Sequence, residues 1–235
     1  MAMPKRLPKE IADTASLNAS GIYYVHDSVN VRKGYALIIG PEGTPYAHCP
    51  LAFVLDFPSD YPFSSPVVTF MTSDGMTRFH PNLYVAGKVC LSILGTWSGP
   101  SWAAVMTIST VLSSIQSLLE PNPITNEPGW EKYTLEHARA REYAEYVQHA
   151  LLSHSLKALC RWSRGDVPPE WAEFEEILAE KGKTLIANLS KIASEKAQKD
   201  EVTYSAIVYN MHGTTHWKTL DKLGAKFIEE TQHKN

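Results

Sequence analysis

Between about Thr72 and Trp102 the chain keeps neither the two-residue apolar alternation of a strand nor the 3.6-residue period of a helix. Gly75, Pro81, Gly87, Gly95, Gly99 and Pro100 interrupt it. Yet Phe79, Leu83, Val89, Leu91, Ile93, Leu94 and Trp97 are too apolar a set to be left in water. A long irregular segment inside a compact domain is either functional and ordered or disordered, and this apolar content selects the first. The chain must therefore fold so that an irregular loop is held against its core, where chemistry tends to sit.

Regular structure is predicted on both sides. Residues 4–13 carry the i, i+4 apolar pair Leu7 and Ile11, a short helix despite Pro8. Ile22–Val25, Tyr35–Ile39, Leu51–Phe57 and Val67–Met71 read as four strands, rich in β-branched and aromatic residues. Gly40-Pro41-Glu42-Gly43 joins the second to the third tightly, and short links of this kind give an antiparallel meander. Downstream, Ile108, Val111, Leu112, Ile115, Leu118 and Leu119 form a helical stripe that Pro121 ends. Tyr143, Val147, Leu151 and Ala158 mark a second helix, and Arg164-Gly165-Asp166-Val167-Pro168-Pro169 a break. Trp171, Phe174 and Leu178 form a third stripe, and Leu185, Leu189 and Ile192 a fourth. Ala206–Tyr209 reads as a short strand, and Trp217, Leu220 and Phe227 as a last helix. Strands followed by helices indicate an α+β domain. The 235 residues suit one main domain plus an extension, here 1–163 and a mainly helical 164–235.

Composition narrows the function classes. A 44% hydrophobic share with 20% charged residues describes an ordinary globule. Lys and Arg number 22 against 25 Asp and Glu, a net charge of −3, so no broad field for nucleic acid or anionic membrane is expected. No apolar run approaches the ~18 residues that cross a bilayer. The first ten residues carry basic groups with no apolar segment after them, so no secretory signal is expected. Cys49, Cys90 and Cys160 are odd in number and widely spaced, which fits a reducing compartment rather than a disulfide framework. A free thiol leaves room for a nucleophile. His212 and His216 lie in a Gly/Thr loop, and His149, His154 and Cys160 share no ligand face, so neither a metal site nor a cofactor is expected.

The informative stretch is His80-Pro81-Asn82, then Cys90 eight residues after that Asn, then Leu91-Ser92-Ile93-Leu94. Tyr61-Pro62-Phe63 with Pro66 precedes it. Trp102, Thr107-Ile108-Ser109, Val111-Leu112, Ser117-Leu118-Leu119 and Pro121-Asn122-Pro123 follow. With these motifs in register over about residues 4 to 160, the chain resembles the ubiquitin-conjugating enzymes. The longer Leu94–Trp102 link and Asn126-Glu127-Pro128-Gly129-Trp130-Glu131 are similar to the large, C-terminally extended Z-type members. They are also similar to the conjugating domain of giant inhibitor-of-apoptosis proteins. The resemblance implies the ubiquitin-conjugating fold: an N-terminal helix, a four-stranded antiparallel meander, a long active-site loop and C-terminal helices.

It also implies roles for particular residues. Cys90 would take ubiquitin or a ubiquitin-like modifier from an activating enzyme as a thioester, then pass it to a substrate lysine or a ligase. Asn82 would either donate to the oxyanion or brace the loop by backbone hydrogen bonds. His80 and Pro81 would shape that loop. Glu127, rather than Asn126, is the better chemical candidate for the acid that favours the incoming lysine, and Ser92 stands where many members have Asp. Arg6 and Lys9 match the basic first helix that meets the activating enzyme. Phe63 matches a ligase-contacting aromatic, and Ala103 and Ala104 the second ligase-contacting loop, with Ala104 in place of the usual Pro. The implied location is the cytoplasm or nucleus, without nucleic-acid or membrane partners. Two other readings compete. A catalytically inactive scaffold of the same fold would lack the Cys, and a thiol hydrolase would need a local signature that this sequence does not carry. The role of residues 164–235 stays open between selecting a modifier or substrate and packing on the core.

Overall fold

A computed structural model of the chain describes residues 6–198, 201–205 and 207–232. Helix α1 (Leu7–Asp13) leads through a 3-10 turn into strands β1 (Ile22–His26), β2 (Lys33–Ile39), β3 (Pro50–Asp56) and β4 (Val67–Phe70). They pair in sequence order as an antiparallel meander, within two residues of the expected bounds. The register places Ile22, Ala36, Ile38, Leu51, Phe53, Leu55, Val68 and Phe70 on one face, all buried. This is the period-2 rule expressed in four consecutive strands.

The irregular segment follows β4, and helix α2 (Ile108–Leu118) follows that. Thr107 starts α2 with a reciprocal cap: its hydroxyl accepts from Thr110 N at 3.2 Å, and Thr110 Oγ1 accepts from Thr107 N at 3.2 Å. Ile108, Val111, Leu112 and Ile115, one stripe at i, i+3, i+4 and i+7, are fully buried. Glu10 joins α1 to this helix. Its Oε2 accepts from Ile108 N at 3.0 Å and from the Tyr61 hydroxyl at 2.5 Å. A carboxylate at a helix N-terminus meets both unpaired N–H groups and the positive end of the dipole.

Helix α3 (Ala138–Trp162) carries the predicted Tyr143, Val147, Leu151 and Ala158 and ends at the expected break. The two stripes predicted next are one structure. A 3-10 turn, Pro169–Phe174, runs straight into a single helix α4 (Glu175–Lys196) that holds Leu178, Leu185, Leu189 and Ile192. Gly182 lies between Leu178 and Leu185, but it stays helical and buried, where a Cβ would come within 2.6 Å of the Trp162 ring, so it serves close packing on α3 and does not break the helix. The strand expected over Ala206–Tyr209 is also corrected. The short pair is β5 (Thr203–Tyr204) with β6 (Gly213–Thr214), and Ala206 lies outside the described residues. Tyr209 and Asn210 have φ of 64° and 56°, in the left-handed region, which an extended strand cannot contain.

Helix α5 (Trp217–Gln232) packs on α4. Gly224 permits it, because a Cβ there would come within 2.3 Å of Ser190 Oγ. The 169–174 turn packs on β3, and its Trp171 and Phe174 are buried in the same apolar cluster as the sheet residues. The extension therefore shares the core of the rest of the chain.

Candidate active site

The loop after β4 returns on itself between Tyr84 and Lys88. Phe70 N donates to Gly87 O at 2.7 Å, and Tyr84 N to Lys88 O at 2.9 Å. Gly87 has φ 92°, and a Cβ there would lie 2.9 Å from Thr69 Cγ2 and 3.0 Å from Phe70 O. Only glycine allows this approach to the sheet edge. The return brings Val89 opposite Leu83 and Cys90 opposite Asn82. Cys90 N donates to Asn82 O at 2.8 Å, and Asn82 Nδ2 donates to Cys90 O at 2.7 Å. The eight-residue spacing noted in the sequence is thus the span of a closed turn.

His80 braces this turn from below. Its Nδ1 accepts from Asn82 N at 2.9 Å, and the ring is fully buried. Burial lowers its pKa to about 3, while the Leu118 carbonyl pulls more weakly the other way. The imidazole is therefore neutral, with its proton on Nε2. Burial lowers His149 likewise, to about 4. Unfolded histidines take up protons near pH 6.5, which these two refuse when folded, so the unfolded state gains protons first as the pH falls. Stability should therefore be intact above pH ~6.5 and fall below it, by about 1.4 kcal/mol per pH unit for His80 alone. Urea melts at pH 7 and 5 check this, and a midpoint unchanged between them would contradict it.

Thr96 fastens the other side of the nucleophile. Its hydroxyl accepts from Leu91 N at 2.9 Å and donates to Val89 O at 2.7 Å, so it grips the backbone on both flanks of Cys90. The following loop folds back until a Cβ at Gly99 would lie 2.9 Å from Ser92 Cβ. Thr96→Val leaves both backbone groups without that partner. The expected loss is about 1–2 kcal/mol, read as a thermal midpoint lower by several degrees, with faster labelling of Cys90 by thiol reagents.

The three cysteines differ in setting. Cys49 lies in the apolar core, and burial raises its pKa to about 12. Burial also raises Cys160. Neither suits a nucleophile, since the thiolate is the reactive form. Cys90 is only 1% exposed, less open than a residue that receives another protein's terminus needs. Cys90 is not itself part of the contiguous apolar core, although its neighbours Val89 and Leu91 pack in or against that core while their backbone is hydrogen-bonded to Thr96.

The remaining candidates fall in two places. Glu127 is half-buried, and its Oε2 accepts from the Tyr209 hydroxyl at 2.5 Å. The other place is a surface at the α1 end of the molecule. Trp102 Nε1 donates to Pro62 O at 2.7 Å and ties the Phe63 loop to the Ala103–Ala104 loop. Phe63 is 80% exposed there, as is Val105 at 82%, a residue that sequence reasoning missed. Ala103 is exposed and Ala104 half-buried. Arg6 does not behave as a free surface cation. Its guanidinium donates to the carbonyls of Ala104, Val105 and Met106 and pairs with Glu10. These bonds tie Arg6 to this loop. Lys9 is exposed and pairs with Asp13 at 2.6 Å. Among the described residues no helix is long and apolar enough to cross a membrane.

A family model described as "Ubiquitin-conjugating enzyme" matches residues 6–151. The human protein "Ubiquitin-conjugating enzyme E2 Z" is 42% identical over 164 residues, which cover 69% of this chain and 45% of the relative. The human "Dual E2 ubiquitin-conjugating enzyme/E3 ubiquitin-protein ligase BIRC6" is 41% identical over 143 residues, covering 56% of this chain and 3% of that protein. A solved structure of human ubiquitin-conjugating enzyme E2 G1 is 29% identical, covering 51% of this chain and 98% of that one, with a TM-score of 0.43. The chain spans under half the length of the E2 Z relative it matches. With the loop built around Asn82 and Cys90 and the family model covering most of the chain, the protein belongs to the ubiquitin-conjugating enzyme (E2) family and is similar to its Z type.

Proposed function

We propose that the chain accepts ubiquitin, or a ubiquitin-like modifier, from an activating enzyme as a thioester on Cys90 and passes it to a substrate lysine or a ligase. The observation that carries this reading is the reciprocal pairing of Cys90 with Asn82 across the closed turn. In the first step the Cys90 thiolate attacks the donor's thioester carbonyl. A new C–S bond forms and the activating enzyme leaves as its own thiolate. In the second, a neutral lysine amine attacks the Cys90 thioester. The C–N bond forms, the amine's proton leaves to solvent and Cys90 departs as thiolate. The Asn82 carboxamide lies beside the carbonyl that becomes an oxyanion. Glu127 orients the incoming amine. The joined surface of Phe63, Ala103 and Val105 suits a ligase, with an exposed aromatic as anchor. The three unpaired cysteines suit the reducing cytoplasm or nucleus.

The near-complete cover over Cys90 favours a second reading, an inactive scaffold of the same fold. Incubation with activating enzyme, ATP and ubiquitin separates the two. A reducible adduct on the wild-type chain supports conjugation. No adduct with ubiquitin or any related modifier supports the scaffold.

A further inference from the structure

The C-terminal extension comes back to the active-site region through a short strap, residues 207–211. Ile207 N donates to Met211 O at 3.0 Å and closes it. At its tip Tyr209 and Asn210 are both left-handed. Asn tolerates that conformation, and Tyr does not adopt it readily. The strap is anchored by Tyr146, whose hydroxyl donates to His212 O at 2.9 Å, and by Arg78 N, 3.3 Å from Met211 Sδ.

The disfavoured backbone puts the Tyr209 ring in one particular place. The Arg78 guanidinium lies between two rings, 3.7 Å from the Tyr84 centroid and 4.2 Å from that of Tyr209. Arg78 also donates to Pro81 O, one residue before Asn82. Tyr143 packs edge-on against Tyr209 at 5.9 Å, and its hydroxyl donates to Arg78 O at 2.9 Å. Burial first, and then the Glu127 carboxylate, raise the Tyr209 pKa, so its hydroxyl keeps the proton it donates. One ring thus touches both sides of the site. It packs on the arginine that holds the His80-Pro81-Asn82 turn, and it hydrogen-bonds the acid on the 3-10 turn and loop after α2.

We propose that Tyr209 is a positioning residue for Glu127: its hydroxyl fixes one carboxylate oxygen, Oε2, and so aims the other at the lysine that attacks the Cys90 thioester. This rests on the reading of Glu127 given above. The extension then supplies part of the acceptor side of the site, in addition to sharing the core.

Tyr209→Phe tests it, because the ring contacts with Arg78 and Tyr143 remain and only the hydroxyl is lost. The full chain is charged with ubiquitin and the thioester is chased with either free lysine or hydroxylamine. Hydroxylamine is already a neutral nucleophile near pH 7 and needs no carboxylate to orient an ammonium. The expected result is charging like wild type, lysine discharge about tenfold slower, and hydroxylamine discharge unchanged. Glu127→Gln should give the same pattern, and the double variant should be no slower than the slower single one. A wild-type lysine rate in Tyr209→Phe overturns the proposal while leaving Cys90 chemistry intact. So does a Tyr209→Phe chain that is unfolded, uncharged, or equally slow with both acceptors, which would make the strap purely structural. Failure of the wild-type chain to charge at all overturns the conjugating reading itself.

Discussion

Cys90→Ser, incubated with activating enzyme, ATP and ubiquitin, is expected to form an adduct that survives thiol reductants, where the wild-type adduct is cleaved by them. The reason is the bond formed. An oxygen nucleophile gives an ester, and free thiols do not exchange with esters as they do with thioesters. Cys90→Ala should give no adduct, because nothing remains to attack the donor carbonyl. Cys49→Ala and Cys160→Ala should charge as wild type, since burial holds both of those thiols protonated. The effect is all or none, so gel mobility with and without reductant reads it directly. Loss of charging in either control, with the fold retained, would move the nucleophile elsewhere. Because Cys90 is only 1% exposed at rest, the charging rate should also report how readily the Thr96-fastened loop opens.

Asn82→Ala should still charge but discharge to lysine about 10²–10³-fold more slowly, the usual consequence of removing one oxyanion donor. The structure sharpens what is being tested. One Nδ2 hydrogen is committed to Cys90 O, so the resting carboxamide braces the loop. The second Nδ2 hydrogen is available to a developing oxyanion. Oδ1 is buried without a hydrogen-bond partner among the described residues, a state that costs about 1–3 kcal/mol when nothing replaces water. Oδ1 is an acceptor and cannot itself meet an oxyanion, so the oxyanion role rests on the second Nδ2 hydrogen alone. The split between the steps decides the matter. If Asn82→Ala loses charging and discharge in equal measure, the residue is a brace. If discharge alone collapses, it serves the transition state. Discharge at the wild-type rate removes both roles.

Much of the fold was legible because it is written in short-range periods. Leu51, Phe53 and Leu55 alternate into the core, and Ile108, Val111, Leu112 and Ile115 recur at helical spacing, so strand and helix could be read without any partner. Thr107 and Pro121 bracket α2 in the sequence as they do in space. The order of strands followed from short links. The misreadings have local causes too. Leu178 and Leu185 read as separate stripes because the apolar period lapses over Lys181–Lys183, although the backbone stays helical. The strand expected near Tyr209 rested on β-propensity, which carries no information about a left-handed residue imposed by packing.

The sequence by itself determined the α+β order, the loop that must be packed, and the eight-residue Asn82–Cys90 spacing that closes into a turn. Only tertiary structure decided that Arg6 serves the Ala104–Met106 carbonyls, that Val105 joins Phe63 on one surface, and that Tyr209 meets Glu127. Those pairs lie far apart along the chain, 99 residues for Arg6 and Val105 and 82 for Tyr209 and Glu127. A hydrogen bond across such a separation leaves no period in either local segment. It exists because burying the apolar faces of α4 and α5 brings the strap back to the loop, and hydrophobic burial is non-directional until the fold supplies the geometry.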